Sequence, residues 1–227
     1  METLFRCAKC AAVYPLDPRW CPSCGTFRSC YVDWERQADR QWGAGTKSAS
    51  AEELVGTVSR SFVSPAYPTM KCGPRSVVGV FGAPGSGKST FATKWADAIL
   101  GPVCYFAQEE GHGDALIQRL KRLEICRADF HVAYAATIDD INAEVSARAP
   151  LAVVFDSLSV MTLGVRDLQR AADRENFPIM VTLQVTKSGA AAGSASILHG
   201  CDVVIECAGM KWACRKNRFS GLVGGDI

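Results

Sequence analysis

The sequence predicts an α/β fold, a mostly parallel sheet flanked by helices, with a small cysteine module ahead of it. Three observations carry this. From Val77 onward, short apolar runs alternate with stretches of helical periodicity, the pattern of strands buried on both faces. A glycine-rich segment, Gly82 to Ser89, stands between the first of those runs and an amphipathic helix. Two C-x2-C pairs lie before residue 25, where periodic hydrophobicity is weak.

The bulk numbers fit that reading. A chain of 227 residues holds one α/β domain of ordinary size plus a small appendage. With 48% hydrophobic and 21% charged residues, the composition is that of a globular protein. No apolar run approaches the roughly 20 residues of a membrane span, so no membrane partner is expected. Met1-Glu2-Thr3 opens without a basic-then-apolar leader. The 25 basic and 23 acidic side chains leave a net charge of +2, too small by itself to declare a nucleic-acid partner. The 11 cysteines, an odd number without a secretory signal, argue against a disulfide framework and for a reducing, cytoplasmic location.

Residues 1–34 read as a four-cysteine zinc module. Cys7 and Cys10 are separated from Cys21 and Cys24 by ten residues, which lets two tight turns bring four thiolates around one tetrahedral Zn2+. Four thiolates leave no open position for water, so the site is structural. Gly25 supplies the permissive residue after the second pair, and Cys30 falls outside the spacing as a free thiol. Arg6, Lys9, Arg19 and Arg28 form either a gripping surface or a solvated charged face. Residues 35–74 read as a polar linker broken by Gly43, Gly45, Pro65 and Pro68, with one short helix around Ala51 to Ser59.

Residues 75–227 form the main domain. The apolar runs are Val77 to Phe81, Val103 to Ala107, Phe130 to Tyr134, Leu151 to Phe155, Ile179 to Leu183 and Val203 to Cys207. Phe91, Trp95, Ala98 and Ile99 recur at helical spacing, and Gly101-Pro102 ends that helix. Thr137 to Asp140 reads as a capping-box start for a helix carrying Ile138, Ile141 and Val145.

Gly82-Ala83-Pro84-Gly85-Ser86-Gly87-Lys88-Ser89 fits G-x-x-x-x-G-K-[ST], with a strand before it and a helix after. Its backbone amides, continuing to Thr90, are the phosphate cradle for ATP, because glycines allow close approach and the helix end is electropositive. Lys88 is the ligand of the β and γ phosphates, and Ser89 that of Mg2+. Asp156, ending the run Leu151 to Phe155, stands where a second magnesium-binding acid belongs. Glu109 and Glu110 follow the run Val103 to Ala107, and either carboxylate suits the role of polarising an attacking water. The residues alone do not separate these two.

The chain resembles the bacterial RadA/Sms family of DNA-repair ATPases, in the RecA-like class. The resemblance rests on C-x2-C-x10-C-x2-C-G, the phosphate loop, Tyr105 to Glu110, Asp156-Ser157, Val185 to Gly189 and Lys216-Asn217-Arg218-Phe219. It implies a RecA-like P-loop NTPase core and an ATPase of recombination and DNA repair. It selects Glu109 as the water-activating acid and makes Gln184 a sensor of the γ-phosphate. The stretch Lys187 to Ser196 resembles the family's DNA-binding loop, with Lys187 and Ser188 at its start, and its small residues independently read as a flexible element. Lys216 and Arg218 match the basic residues of the family's Lys-Asn-Arg-Phe-Gly signature, implying DNA handling and action on a neighbour's ATP. Ser220 stands at the signature glycine. The family continues into a Lon-protease-like domain, whereas this sequence ends at Ile227, so a version lacking that domain is expected. The implied partners are single-stranded or branched DNA, a RecA-type recombinase and further copies of the chain in a ring or filament. Two other readings use the same cradle: a P-loop kinase for a small molecule, and an ATP-gated zinc-containing adaptor without DNA-stimulated turnover.

Overall fold

The computed structural model describes the backbone of Phe5–Cys7, Val13–Tyr14 and Cys30–Val32, then residues 62–158, 164–185 and 195–227. The chain divides into two compact units, Met1–Arg60 and Ser61–Ile227. In the first, β1 (Phe5–Cys7) lies between β2 (Val13–Tyr14) and β3 (Cys30–Val32) in an antiparallel sheet, with Cys7 opposite Cys30. Cys10, Cys21, Cys24 and the expected helix around Ala51 to Ser59 lie outside the described residues, as does the side chain of Cys7.

The second unit is built on a mixed sheet of eight strands in the order β13-β12-β11-β6-β10-β9-β7-β8. Its parallel part comprises β6 (Val77–Gly82), β7 (Val103–Ala107), β8 (Phe130–Ala133), β9 (Ala152–Asp156), β10 (Ile179–Gln184) and β11 (Val203–Ala208). These are the six apolar runs, each within a residue or so of the expected bounds. Two antiparallel strands, β12 (Lys211–Asn217) and β13 (Gly224–Asp226), extend one edge. The two-residue turn between β11 and β12 has positive φ at both Gly209 (55°) and Met210 (61°), the twist-matched hairpin geometry.

Alternation of side chains assigns the two faces of the sheet. Val77, Cys104, Phe106, Val153, Phe155, Ile179, Val181 and Leu183 join one core with Ile141, Leu168 and Ala172. Ile141 comes from α3 (Ile138–Arg148), and Leu168 and Ala172 come from α4 (Val165–Glu175). The intervening Val78, Val80, Tyr105, Val154 and Met180 are buried on the other side, where α1 (Lys88–Asp97) crosses β6, β7, β9 and β10. Each large apolar side chain so buried contributes about 1.5–3 kcal/mol relative to exposure, which is why both-face burial selects near-continuous apolar runs.

Two details differ from the sequence reading. Residues 62–74, read as the end of the linker, belong to the second unit. They form the small hairpin of β4 (Phe62–Val63) and β5 (Lys71–Cys72), and Tyr67 stacks on Phe91 of α1 at 4.2 Å between ring centroids. Ser64 adds a hydrogen bond from its hydroxyl to the Trp95 carbonyl at 3.0 Å. Prolines at 65 and 68 interrupt periodicity without preventing burial of Tyr67, Met70 and Cys72. Ile138, expected on the packed face of its helix, is 55% exposed because it occupies the first turn, and Ile141 takes the core position.

Candidate active site

The phosphate-loop sequence leaves β6 and enters α1 as the spacing requires. Gly82 passes so close to β11 that a Cβ there would stand 2.2 Å from the Cys207 carbonyl oxygen. Gly87 caps the helix with φ of 104°, a conformation side chains resist. Lys88 folds back to donate from Nζ to the Ala83 carbonyl at 2.9 Å, and the buried Ser86 hydroxyl has no partner among the described residues. A groove of about 390 Å³ runs beside the loop, lined by Pro84, Gly85, Ser86, Val185, Glu206 and Gly209.

Three parallel strands, β7, β9 and β10, deliver the remaining groups to the same end of the sheet. Register puts Gln184 beside Gly82 and Asp156 beside Ala107. Asp156 is 5% exposed, and its two oxygens keep different company. Oδ1 accepts from the Ser89 hydroxyl at 3.1 Å and from Thr182 at 2.6 Å. Oδ2 accepts from the Tyr105 hydroxyl at 2.5 Å and lies 3.6 Å from Arg119 Nη2. Burial above all, then the Asp156 charge, holds the Tyr105 hydroxyl well above the usual tyrosine range, so it stays a donor. A hydroxyl beside a carboxylate is a donor set that suits a hard cation taking oxygen ligands, with water and phosphate supplying the rest of the shell. Among the described residues no group of three or more His, Cys, Asp or Glu has the makings of a metal site.

The two neighbouring glutamates separate sharply. Glu110 is locked by Arg119 of α2 (Asp114–Arg122) in a forked pair, at 3.3 Å and 2.7 Å. Glu109 is exposed and accepts from the Gln184 side-chain amide at 2.9 Å. Its backbone amide and that of Gln108 both donate to the Asp156 carbonyl, at 3.2 Å and 2.7 Å. Gln108 in turn clasps the Ala135 backbone by both ends of its side chain, at 2.7 Å and 3.0 Å.

Lys216 and Arg218 are elsewhere. Lys216 pairs in register with Val204, itself opposite Gly79, toward the amino end of β6. Its Nζ donates to the carbonyls of His199 at 2.8 Å and Cys201 at 2.5 Å, holding the end of α5 (Ala195–Gly200). Arg218 pairs with Asp202 at 2.9 Å, and Asp202 also accepts from the Val77 amide at 3.0 Å. Val77 lies five strand steps from Gly82, about 17 Å, which keeps Arg218 from the loop within one chain, and the His199 and Cys201 carbonyls hold the Lys216 ammonium away from it. At Ser220 no glycine is needed, since its φ is not positive; its amide and hydroxyl both bond to the Asn217 side chain. Phe219 packs its ring onto Gly73, where a Cβ would come within 2.8 Å. Lys187 and Ser188 lie outside the described residues.

Tyr105, Thr182 and Arg119 are site residues that reading the sequence did not single out. Tyr105 and Thr182 look like core positions within strands. Arg119 carried a signal: it follows Leu116 by three on the buried face of α2, where a charge demands a partner.

No protein-family model matches the chain. It is 25% identical over 234 residues to a DNA repair protein RadA of Treponema pallidum (strain Nichols), a match covering 90% of this chain and 50% of that protein. The chain therefore spans about half the length of the curated relative it matches. No helix among the described residues is long and apolar enough to cross a membrane. The similarity to that RadA runs over most of the chain, and the mixed α/β sheet flanked by helices fits a RecA-like core.

Proposed function

We propose that this chain is a magnesium-dependent ATPase of RadA-like type that engages single-stranded DNA in recombination or repair. The observation that carries the proposal is the convergence of Lys88, Ser89, Asp156, Glu109 and Gln184 at the carboxyl ends of adjacent parallel strands. That crevice is where open α/β sheets bind ligands. The loop amides from Gly82 to Thr90 and the Lys88 ammonium hold the phosphates, and Ser89 and Asp156 hold magnesium. When bound, the metal neutralises charge on the phosphate oxygens.

The chain's own part in the reaction is orientation and proton transfer. Water attacks the terminal phosphorus, the bond to the bridging oxygen breaks, and ADP and phosphate leave. Glu109, exposed and acceptor-only when ionised, takes the water's proton. Gln184 holds Glu109 Oε1 through its amide, so a shift of Gln184 toward a γ-phosphate changes the position of the acid. Because Gln184 leads directly into the stretch beginning at Lys187, DNA bound there acts on the same pair. Lys216 and Arg218 act on ATP only across copies, in a ring or filament, where they add positive charge to the transition state. Cys7, Cys10, Cys21 and Cys24 hold one structural zinc, which metal analysis of freshly reduced protein checks.

The deciding experiment is ATP turnover measured with and without single-stranded DNA at low salt. Stimulated release of phosphate supports the proposal. Phosphate appearing on a small molecule identifies a kinase instead, and nucleotide binding without turnover identifies an ATP-gated adaptor.

A further inference from the structure

We propose that Arg119 is a positioning residue for hydrolysis, holding the Asp156 carboxylate and the turn carrying Glu109 in one fixed relation; this rests on the ATPase reading. Arg119 is 7% exposed, so its charge is removed from water and must be matched by partners. Those partners are the two acids that flank the reaction centre. Its guanidinium forks onto both oxygens of Glu110, and the same Nη2 that makes the 2.7 Å contact lies 3.6 Å from Asp156 Oδ2. The Tyr105 hydroxyl closes on that oxygen from within the sheet, and the Thr93 hydroxyl of α1 bridges the Tyr105 hydroxyl, at 3.3 Å, and the Ser89 carbonyl, at 2.6 Å.

Two consequences follow for geometry. A carboxylate pinned at Oδ2 presents Oδ1 to the Ser89 hydroxyl in a single orientation, so the oxygens meant for a cation do not have to be ordered at the moment of binding. Glu110, held by Arg119, fixes one end of a turn whose other end is tied by the Glu109 amide to the Asp156 carbonyl. The Glu109 side chain is thereby directed to Gln184. Adjacent acids have divided the work: Glu110 anchors, and Glu109 is left to meet water. Lysine cannot replace the arginine fully, because a single ammonium lacks the planar fork that grips both oxygens of Glu110 while standing beside Asp156.

The test uses the full chain with ATP and magnesium, reading kcat and, separately, the dissociation constant of ADP. Arg119→Met is expected to lower kcat by about 30- to 100-fold while ADP affinity stays within about threefold, the split that a misplaced reacting group produces. Arg119→Lys recovers part of the rate. Arg119→Met combined with Glu110→Gln is no slower than Arg119→Met alone, since both changes sever the same link. The double variant also removes the carboxylate that Arg119→Met leaves without its fork, so it carries the test if Arg119→Met does not fold. A kcat within threefold of the parent in either protein overturns the inference, as does ADP affinity falling in step with kcat. A parent chain without any turnover overturns the ATPase reading itself and the inference with it.

Discussion

The two ends of the parallel strands use charge in opposite ways. At the amino ends, Arg218, Asp202 and the Val77 amide satisfy one another, and Lys216 directs its donors to the His199 and Cys201 carbonyls at the end of α5. At the carboxyl ends, the Ser86 hydroxyl is buried without a partner among the described residues and Glu109 faces solvent. Lys88 there rests on a backbone carbonyl of its own loop. Within one chain the basic residues Lys216 and Arg218 and the basic residue Lys88 of the glycine-rich loop therefore stand at opposite ends of the sheet. One set is committed to the chain's own architecture, while the other is poised toward a ligand.

Substitutions at the carboxyl end should cost the most activity. Lys88→Ala removes a phosphate contact made before and during the reaction, so ATP hydrolysis should become undetectable in a phosphate-release assay, a loss on the order of 1000-fold. Next comes Glu109→Gln, which keeps the shape and the Gln184 contact but removes the proton acceptor. Turnover should fall about 100-fold while nucleotide binding measured by calorimetry stays near the parent value. Near-normal hydrolysis by that variant would shift the role to Glu110 and dissolve the division between the two acids.

How far this arrangement is legible in the sequence depends on whether a residue's task is local. The phosphate loop, the six parallel strands and the Thr137 to Asp140 cap are local patterns, and each stands where its spacing says. The position of Asp156 at the end of a buried strand is legible in the same way. Tyr105 and Thr182 were not, since an aromatic or β-branched residue inside a strand looks like packing until the neighbouring strand supplies Asp156. Glu109 and Glu110 are chemically identical neighbours, and apart from the resemblance it is their partners, Gln184 for Glu109 and Arg119 for Glu110, that tell them apart. Residues 62–74 looked like linker because their burial comes from α1 and β12, through Phe91 and Trp212, and not from any period of their own.

A smaller effect tests the amino end. Arg218 is 55% exposed in its pair with Asp202, and such a pair is worth about 0–1 kcal/mol after screening. Arg218→Ala should therefore move the denaturation midpoint little, and unstimulated nucleotide binding not at all. Asp202→Ala should cost more, about 1–3 kcal/mol, because it also strips the buried Val77 amide of its acceptor. If Arg218→Ala nevertheless lowers DNA-stimulated turnover, and a partner copy lacking Glu109 but retaining Arg218 restores it, the base acts across copies. A stimulated rate unchanged by Arg218→Ala confines the residue to the pair with Asp202.

The smallest effect on turnover is expected from a satisfied polar group at the carboxyl end. Asp140 accepts from the Ala136 and Thr137 amides and the Thr137 hydroxyl, while its own amide donates back to Thr137. The Thr137 bonds chiefly hold its carboxyl below the usual aspartate range. A depressed folded value means that this contribution is complete above the unfolded aspartate pKa, near about 4, and is lost as pH falls through the folded value. Thr137→Ala removes the cap's hydroxyl and should cost about 1 kcal/mol by denaturant titration at neutral pH. That cost should shrink on acidification, since protonated Asp140 no longer favours the bonds it accepts. The cap stands two residues beyond Ala135, which Gln108 clasps beside Glu109. Even so, ADP affinity and kcat should stay within about twofold in Thr137→Ala, because Gln108 holds the Ala135 backbone independently of Thr137. A rate loss larger than the stability loss would mean that the cap, too, belongs to the machinery that aims Glu109.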